Sequence, residues 1–119
     1  MTPGEMVSEL LRLSSLLDQA NTAVRDRGRA MADAERDYRK GKAQCWLTVD
    51  PDGTAQQRKD EVDGMTANLR RARDLAEHDR QAALEAVRNF RTQISALQSI
   101  AGVEREMVAF DRTGPQVSP

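Results

Sequence analysis

The chain has 119 residues, with 18 Lys or Arg against 19 Asp or Glu, 39% hydrophobic residues and one Trp, one Tyr and two Phe. No apolar run approaches the roughly 20 residues that cross a bilayer, and near-zero net charge removes a global electrostatic case for nucleic acid or an anionic membrane. The start, Met1-Thr2-Pro3-Gly4-Glu5, has no basic segment followed by an apolar one, so a cytoplasmic protein without membrane contact is expected, and its single cysteine, Cys45, can form no intramolecular disulfide.

Apart from Pro3 in the first turn, no proline falls within two long stretches rich in Ala, Leu, Arg, Glu and Gln, which predicts an all-α protein. The first helix is expected over 3–47. Thr2 can cap it, Pro3 suits the first turn, and Glu5 completes a capping box. Counting by three and four from Met6 gives Leu10, Leu13, Leu17, Ala20, Val24, Arg27, Met31, Ala34, Tyr38, Gly41 and Cys45. That is a heptad seam for another helix, with Arg27 its one charged member. Gly28 and Gly41 each weaken the helix by about 1 kcal/mol relative to Ala.

A turn is predicted over 48–53, where Asp50-Pro51-Asp52-Gly53 combines the residues that reverse a chain. A second helix follows over 54–111. Its stripe runs Val62, Met65, Leu69, Ala72, Ala76, Ala83, Val87, Phe90, Ile94, Leu97, Ala101 and Val108, and the eleven-residue step from Ala76 to Val87 departs from strict heptads. A flexible tail is expected over 113–119. Residues 1–112 thus read as a single domain, a long antiparallel two-helix hairpin of coiled-coil type. With the reversal centred near residues 51 and 52, Leu10 is expected to face the region of Ile94 and Val24 that of Asp79.

Two helices bury one seam, which leaves little margin over the entropy of ordering them. Val7, Leu11 and Leu16 also widen the apolar face of the first helix. Self-association is therefore expected, two hairpins forming a four-helix bundle. Ile100, Val103, Met107, Val108 and Phe110, near the end of the second helix, are the candidate partner-binding residues.

Chemistry is sparse. His78 has Asp74, Glu77 and Asp79 near it, but the Glu-x-x-His of dimetal bundles is missing because position 75 is Leu. No CxxC, HExxH or phosphate-cradling glycine loop occurs. No catalysis, cofactor or metal is expected. The one polar constellation is basic and aromatic: Arg36, Tyr38, Arg39, Lys40, Lys42 and Trp46, with Arg70, Arg71 and Arg73 folding back toward them. Tyr38, Lys42 and Trp46 share a helix face, as residues contacting phosphate and stacking on a base would. Segments 25–42 and 58–73 carry 12 basic and 7 acidic residues, a small surplus for binding driven by counterion release.

Trp46 is followed by Leu47 and Thr48, so the Trp-x-Gly of WXG100 secretion substrates is absent. Ala34-Glu35-Arg36-Asp37-Tyr38-Arg39-Lys40, Val87-Arg88-Asn89-Phe90-Arg91, Ile94-Ser95-Ala96-Leu97-Gln98-Ser99, and Arg105-Glu106-Met107 through Phe110-Asp111-Arg112-Thr113-Gly114 carry a different resemblance. In these pieces the chain resembles small helical proteins of unknown function encoded by phages of high-GC Gram-positive bacteria. The resemblance implies a gene set among phage replication and recombination functions, where small accessory proteins work by contact. The expected function is a non-enzymatic protein–protein interaction module, self-associating and directed at a phage or host protein. The alternatives are a single-stranded DNA accessory factor in replication and an inhibitor of a host protein.

Overall fold

The computed structural model describes residues 1–113. Among them the chain forms α1 (Pro3–Thr48), α2 (Ala55–Met65) and α3 (Ala67–Thr113), with no strand. The tail expected over 113–119 lies outside the described residues apart from the backbone of Thr113, which closes α3.

Local chemistry sets the ends of these helices. The Thr2 hydroxyl accepts from the Glu5 N–H at 3.1 Å, and the Glu5 carboxylate accepts from the Thr2 N–H at 3.2 Å. This is the reciprocal cap read from the sequence. At the far end of α1 the Cys45 carbonyl accepts from the Thr48 hydroxyl at 2.9 Å and from the Val49 N–H at 3.2 Å.

The reversal then runs through Asp50-Pro51-Asp52-Gly53. The Asp50 carboxylate accepts from the Asp52 N–H at 2.9 Å, and the Asp50 carbonyl from the Gly53 N–H at 3.3 Å. Proline in second place fixes the φ that this turn needs. Thr54 caps α2 by a second reciprocal pair with Gln57, at 3.1 and 3.0 Å.

The second limb was expected as one helix from 54, but it is interrupted at Thr66, whose φ and ψ are −99° and 4°. The hydroxyl of this buried residue donates to the Val62 carbonyl at 2.8 Å. That carbonyl also accepts from the Thr66 N–H at 3.0 Å. Such a hydroxyl competes with the helical ladder and perturbs its geometry locally.

The chain divides into two compact units, Met1–Ala20 with Glu85–Pro119, and Asn21–Leu84. In the first, Met6, Leu13, Ala20 and Val87 are buried, and Leu10, Leu17, Phe90, Ile94 and Leu97 are half-buried. Met6 and Leu10 line one groove with Gln98 and Ala101, so early residues of α1 meet late residues of α3. The second unit buries Val49, Val62, Thr66 and Ala83. There Arg27 ion-pairs with Asp79 and Glu35 with Arg73, each at 3.6 Å, and this order of pairing is antiparallel. The architecture is a helical hairpin.

The pairing runs a few residues on from the expected register. Asp79 ion-pairs with Arg27, three residues beyond Val24, and Leu10 lines its groove with Gln98 and Ala101, four and seven residues beyond Ile94. Side chains lean toward the N-terminus of their own helix, so residues touching across an antiparallel pair sit further along both helices than the backbone register implies. The descending seam also differs. It passes through Thr66 and Arg73, buried and half-buried, while Met65 and Ala72 are exposed. Half-buried Arg80 fills the supposed gap. Val62, Thr66, Leu69, Arg73, Ala76, Arg80, Ala83 and Val87 are then spaced four and three without a break, so the heptad is not interrupted.

Candidate interaction surfaces

The basic and aromatic cluster lies in the second unit. Tyr38 is half-buried on α1. The Arg73 guanidinium sits 4.4 Å from its ring centre and the Lys42 ammonium 5.8 Å from it. Arg73 also reaches Asp74 at 3.2 Å and Glu35 at 3.6 Å, and Glu35 binds Arg39 at 2.9 Å. The hydrogen bond to Asp74 raises the Arg73 pKa against the opposing effect of burial, with smaller help from the charges of Asp74, Glu35 and Tyr38.

Arg36 pairs with Asp33 at 3.6 Å and with Asp37 at 3.5 Å. Trp46 does not join this group; its ring carries Arg58 at 5.6 Å. Lys40 is exposed. Arg70 and Arg71 line a separate shallow hollow with Asp63, Asp74 and His78. The structure therefore brings Tyr38, Lys42, Arg73 and Arg39 together, and leaves Trp46, Lys40, Arg70 and Arg71 out of those contacts. The Glu35–Arg39 pair is legible in the sequence; the reach of Glu35 across to Arg73 and the seat of Arg58 on Trp46 are not. Glu35, four residues before Arg39, carried a helical ion-pair signal.

The apolar end lies in the first unit. Val7 is 57% exposed and Leu11 67%, and on α3 Ile100, Val103, Met107, Val108 and Phe110 range from 48% to 66%. These residues form two surfaces. Val108 lines an open groove of about 860 Å³ with Met6, Val7, Leu10, Ala101 and Ala109, and Arg105 and Arg112 also line it. Ile100, Val103, Met107 and Phe110 are absent from that lining. Their spacing of three, four and three gives a second stripe on α3, one position before the seam residues Ala101, Glu104 and Val108.

On α1 of the same unit, Arg12 binds the carboxylate of Glu9 through its Nε at 3.0 Å and through a second nitrogen. This hydrogen bonding, against the opposing effect of burial and with smaller help from the charge of Arg12, lowers the Glu9 pKa.

Among the described residues no three His, Cys, Asp or Glu side chains are grouped to hold a metal ion, and no helix is long and apolar enough to cross a membrane. Cys45 is half-buried on α1 and His78 exposed on α3. No family model matches the chain, and neither a curated protein nor a solved structure matches it.

Proposed function

We propose that the protein is a cytoplasmic, non-enzymatic protein–protein interaction module of phage type, whose hairpins self-associate and engage a phage or host protein through the apolar end of the first unit. The observation that carries this reading is the pair of apolar surfaces there, a groove and an adjoining stripe, on which Val7, Ile100, Val103, Met107, Val108 and Phe110 are all exposed. Self-association uses the groove side, where Val7 stands at the groove and Leu11 follows one turn later. Engagement of a host protein would make the module an inhibitor, and engagement of a phage protein an adaptor.

The single-stranded DNA reading draws less support from the geometry. The Tyr38 face that a base would need carries Arg73, and Arg36, Arg39 and Arg73 are ion-paired to carboxylates. Stacking on a base would first require displacing a cation already seated there.

Sedimentation equilibrium of the full chain across the micromolar range tests the reading. A dimer is expected, and Val7→Asp with Leu11→Asp should dissociate it while leaving the helical circular dichroism unchanged. A wild-type chain that stays monomeric and captures no partner through its apolar end would overturn it.

A further inference from the structure

The stripe from Ile100 to Phe110 has a charged border of one sign. Glu104 follows Ile100 by four residues and precedes Met107 by three. Glu106 follows Val103 by three and precedes Phe110 by four, and Asp111 follows Met107 by four. Residues at these spacings are neighbours on a helix surface. Arg105 and Arg112 stand two or five residues from the nearest stripe members, hence on another face; both line the groove, and Glu104 lies on the edge between groove and stripe. On α1 of this unit, Arg12 is already bound to Glu9. The stripe is thus an apolar strip 48% to 66% exposed, with carboxylates on both long edges.

That border selects the occupant. A second copy laid antiparallel on this stripe, centred between Val103 and Met107, would set Glu104 against Glu104 and Glu106 against Glu106, and like charges across a helix pair oppose association. Nucleic acid and anionic lipid are repelled by the same three carboxylates. A helix whose apolar stripe is flanked by cations meets both features at once. We propose that the stripe from Ile100 to Phe110, bordered by Glu104, Glu106 and Asp111, seats an amphipathic helix of another protein that carries lysine or arginine on both sides of its apolar residues. This rests on the interaction-module reading above and names the chemistry of the partner.

Two synthetic amphipathic peptides of about 18 residues, five helical turns, test it against the full chain by fluorescence anisotropy. They share leucines at heptad spacing and differ in carrying lysine or glutamate at the flanking positions. The lysine peptide is expected to bind roughly tenfold more tightly than the glutamate one, with the difference shrinking as salt rises. Glu104→Gln, Glu106→Gln and Asp111→Asn together should abolish the preference and leave residual apolar binding. Val103→Ser with Met107→Ser should remove binding of both peptides, with the helix content checked by circular dichroism.

Equal affinity for the two peptides, a preference for the glutamate peptide, or binding by neither would overturn the proposal. Self-association of the chain, measured in parallel, separates that outcome from failure of the wider reading. A chain that dimerises through its groove but ignores the lysine peptide keeps the module and loses this partner.

Discussion

The guanidinium of Arg73 lies over the ring of Tyr38, 4.4 Å from its centre, at a seam position of α3 where a coiled coil ordinarily places an apolar side chain. Each group makes the other tolerable there: the ring covers the cation's face, and Glu35 and Asp74 take its nitrogens. A planar guanidinium can stack and bind carboxylates together, which an ammonium cannot. Arg73→Lys should therefore lower the melting temperature although it conserves charge. In double-mutant cycles with Tyr38→Leu, the coupling of Arg73 to Tyr38 should exceed that of Lys42, whose nitrogen is 5.8 Å from the ring centre. Equal couplings would show that the stacking contributes nothing of its own.

Gly28 and Gly41 both lie inside α1 but differ in surroundings. A Cβ on Gly28 meets nothing within 4 Å, whereas one on Gly41 would overlap the Cδ1 of Leu69. Gly28→Ala should add about 1 kcal/mol of stability by helix propensity alone. Gly41→Ala gains the same propensity, but Leu69 must leave its rotamer at a cost of about 0.5–1.5 kcal/mol, so the net change should be near zero. Urea melts of the two variants check this. Equal gains would mean that Leu69 moves aside freely.

Much of this fold is legible in the sequence because the signals are local or apolar. The Thr2–Glu5 cap, the Asp50-Pro51-Asp52-Gly53 reversal and the α1 stripe from Met6 to Cys45 rest on short-range chemistry or on residues that water rejects. Along that stripe only Arg27 is exposed. The descending seam was harder to read because Thr66, Arg73 and Arg80 occupy it, and apolar counting passes to Met65 and Ala72 one residue earlier. Counting back by four and three from Val87 recovers all three. The split of the apolar end into a groove and a stripe was not legible, since it depends on which α3 residues α1 reaches.

Thr66 interrupts the second limb through a buried hydroxyl, so its methyl and its oxygen should have separable effects. Thr66→Val keeps the volume and removes the hydroxyl, while the Val62 carbonyl retains the residue-66 N–H at 3.0 Å. Stability should stay within about 0.5 kcal/mol or rise. Thr66→Ala also opens space at a site only 1% exposed and should cost about 1 kcal/mol. If Val proves as damaging as Ala, the hydroxyl is stabilising the fold.

Acid should weaken the first unit through Glu9. Its pKa is lowered by the hydrogen bonds to Arg12, so the folded state binds that proton less readily than the unfolded chain does. The resulting stabilisation is fully present above the ordinary glutamate pKa of about 4.3 and is lost as pH falls through the lower folded value. Both side chains face solvent, so the effect is small and screened by salt. Comparing Glu9→Gln with the wild type from pH 6 down to pH 3 isolates it, and the two melting curves should converge at the acid end. A gap that persists there would assign the difference to something other than this ionisation.

Leu11 and Leu13 are two positions apart on α1 and should separate folding from association. Leu13 is 1% exposed and Leu11 67%. Leu13→Ala removes a core side chain and should cost about 3 kcal/mol of stability. Leu11→Ala should change stability by less than about 0.5 kcal/mol and instead weaken the dimer, because Leu11 extends the face that Val7 begins at the groove. Thermal melts and sedimentation on the same samples give both readouts. A Leu11→Ala chain that melts and sediments as the wild type does would place the self-association surface elsewhere on the molecule.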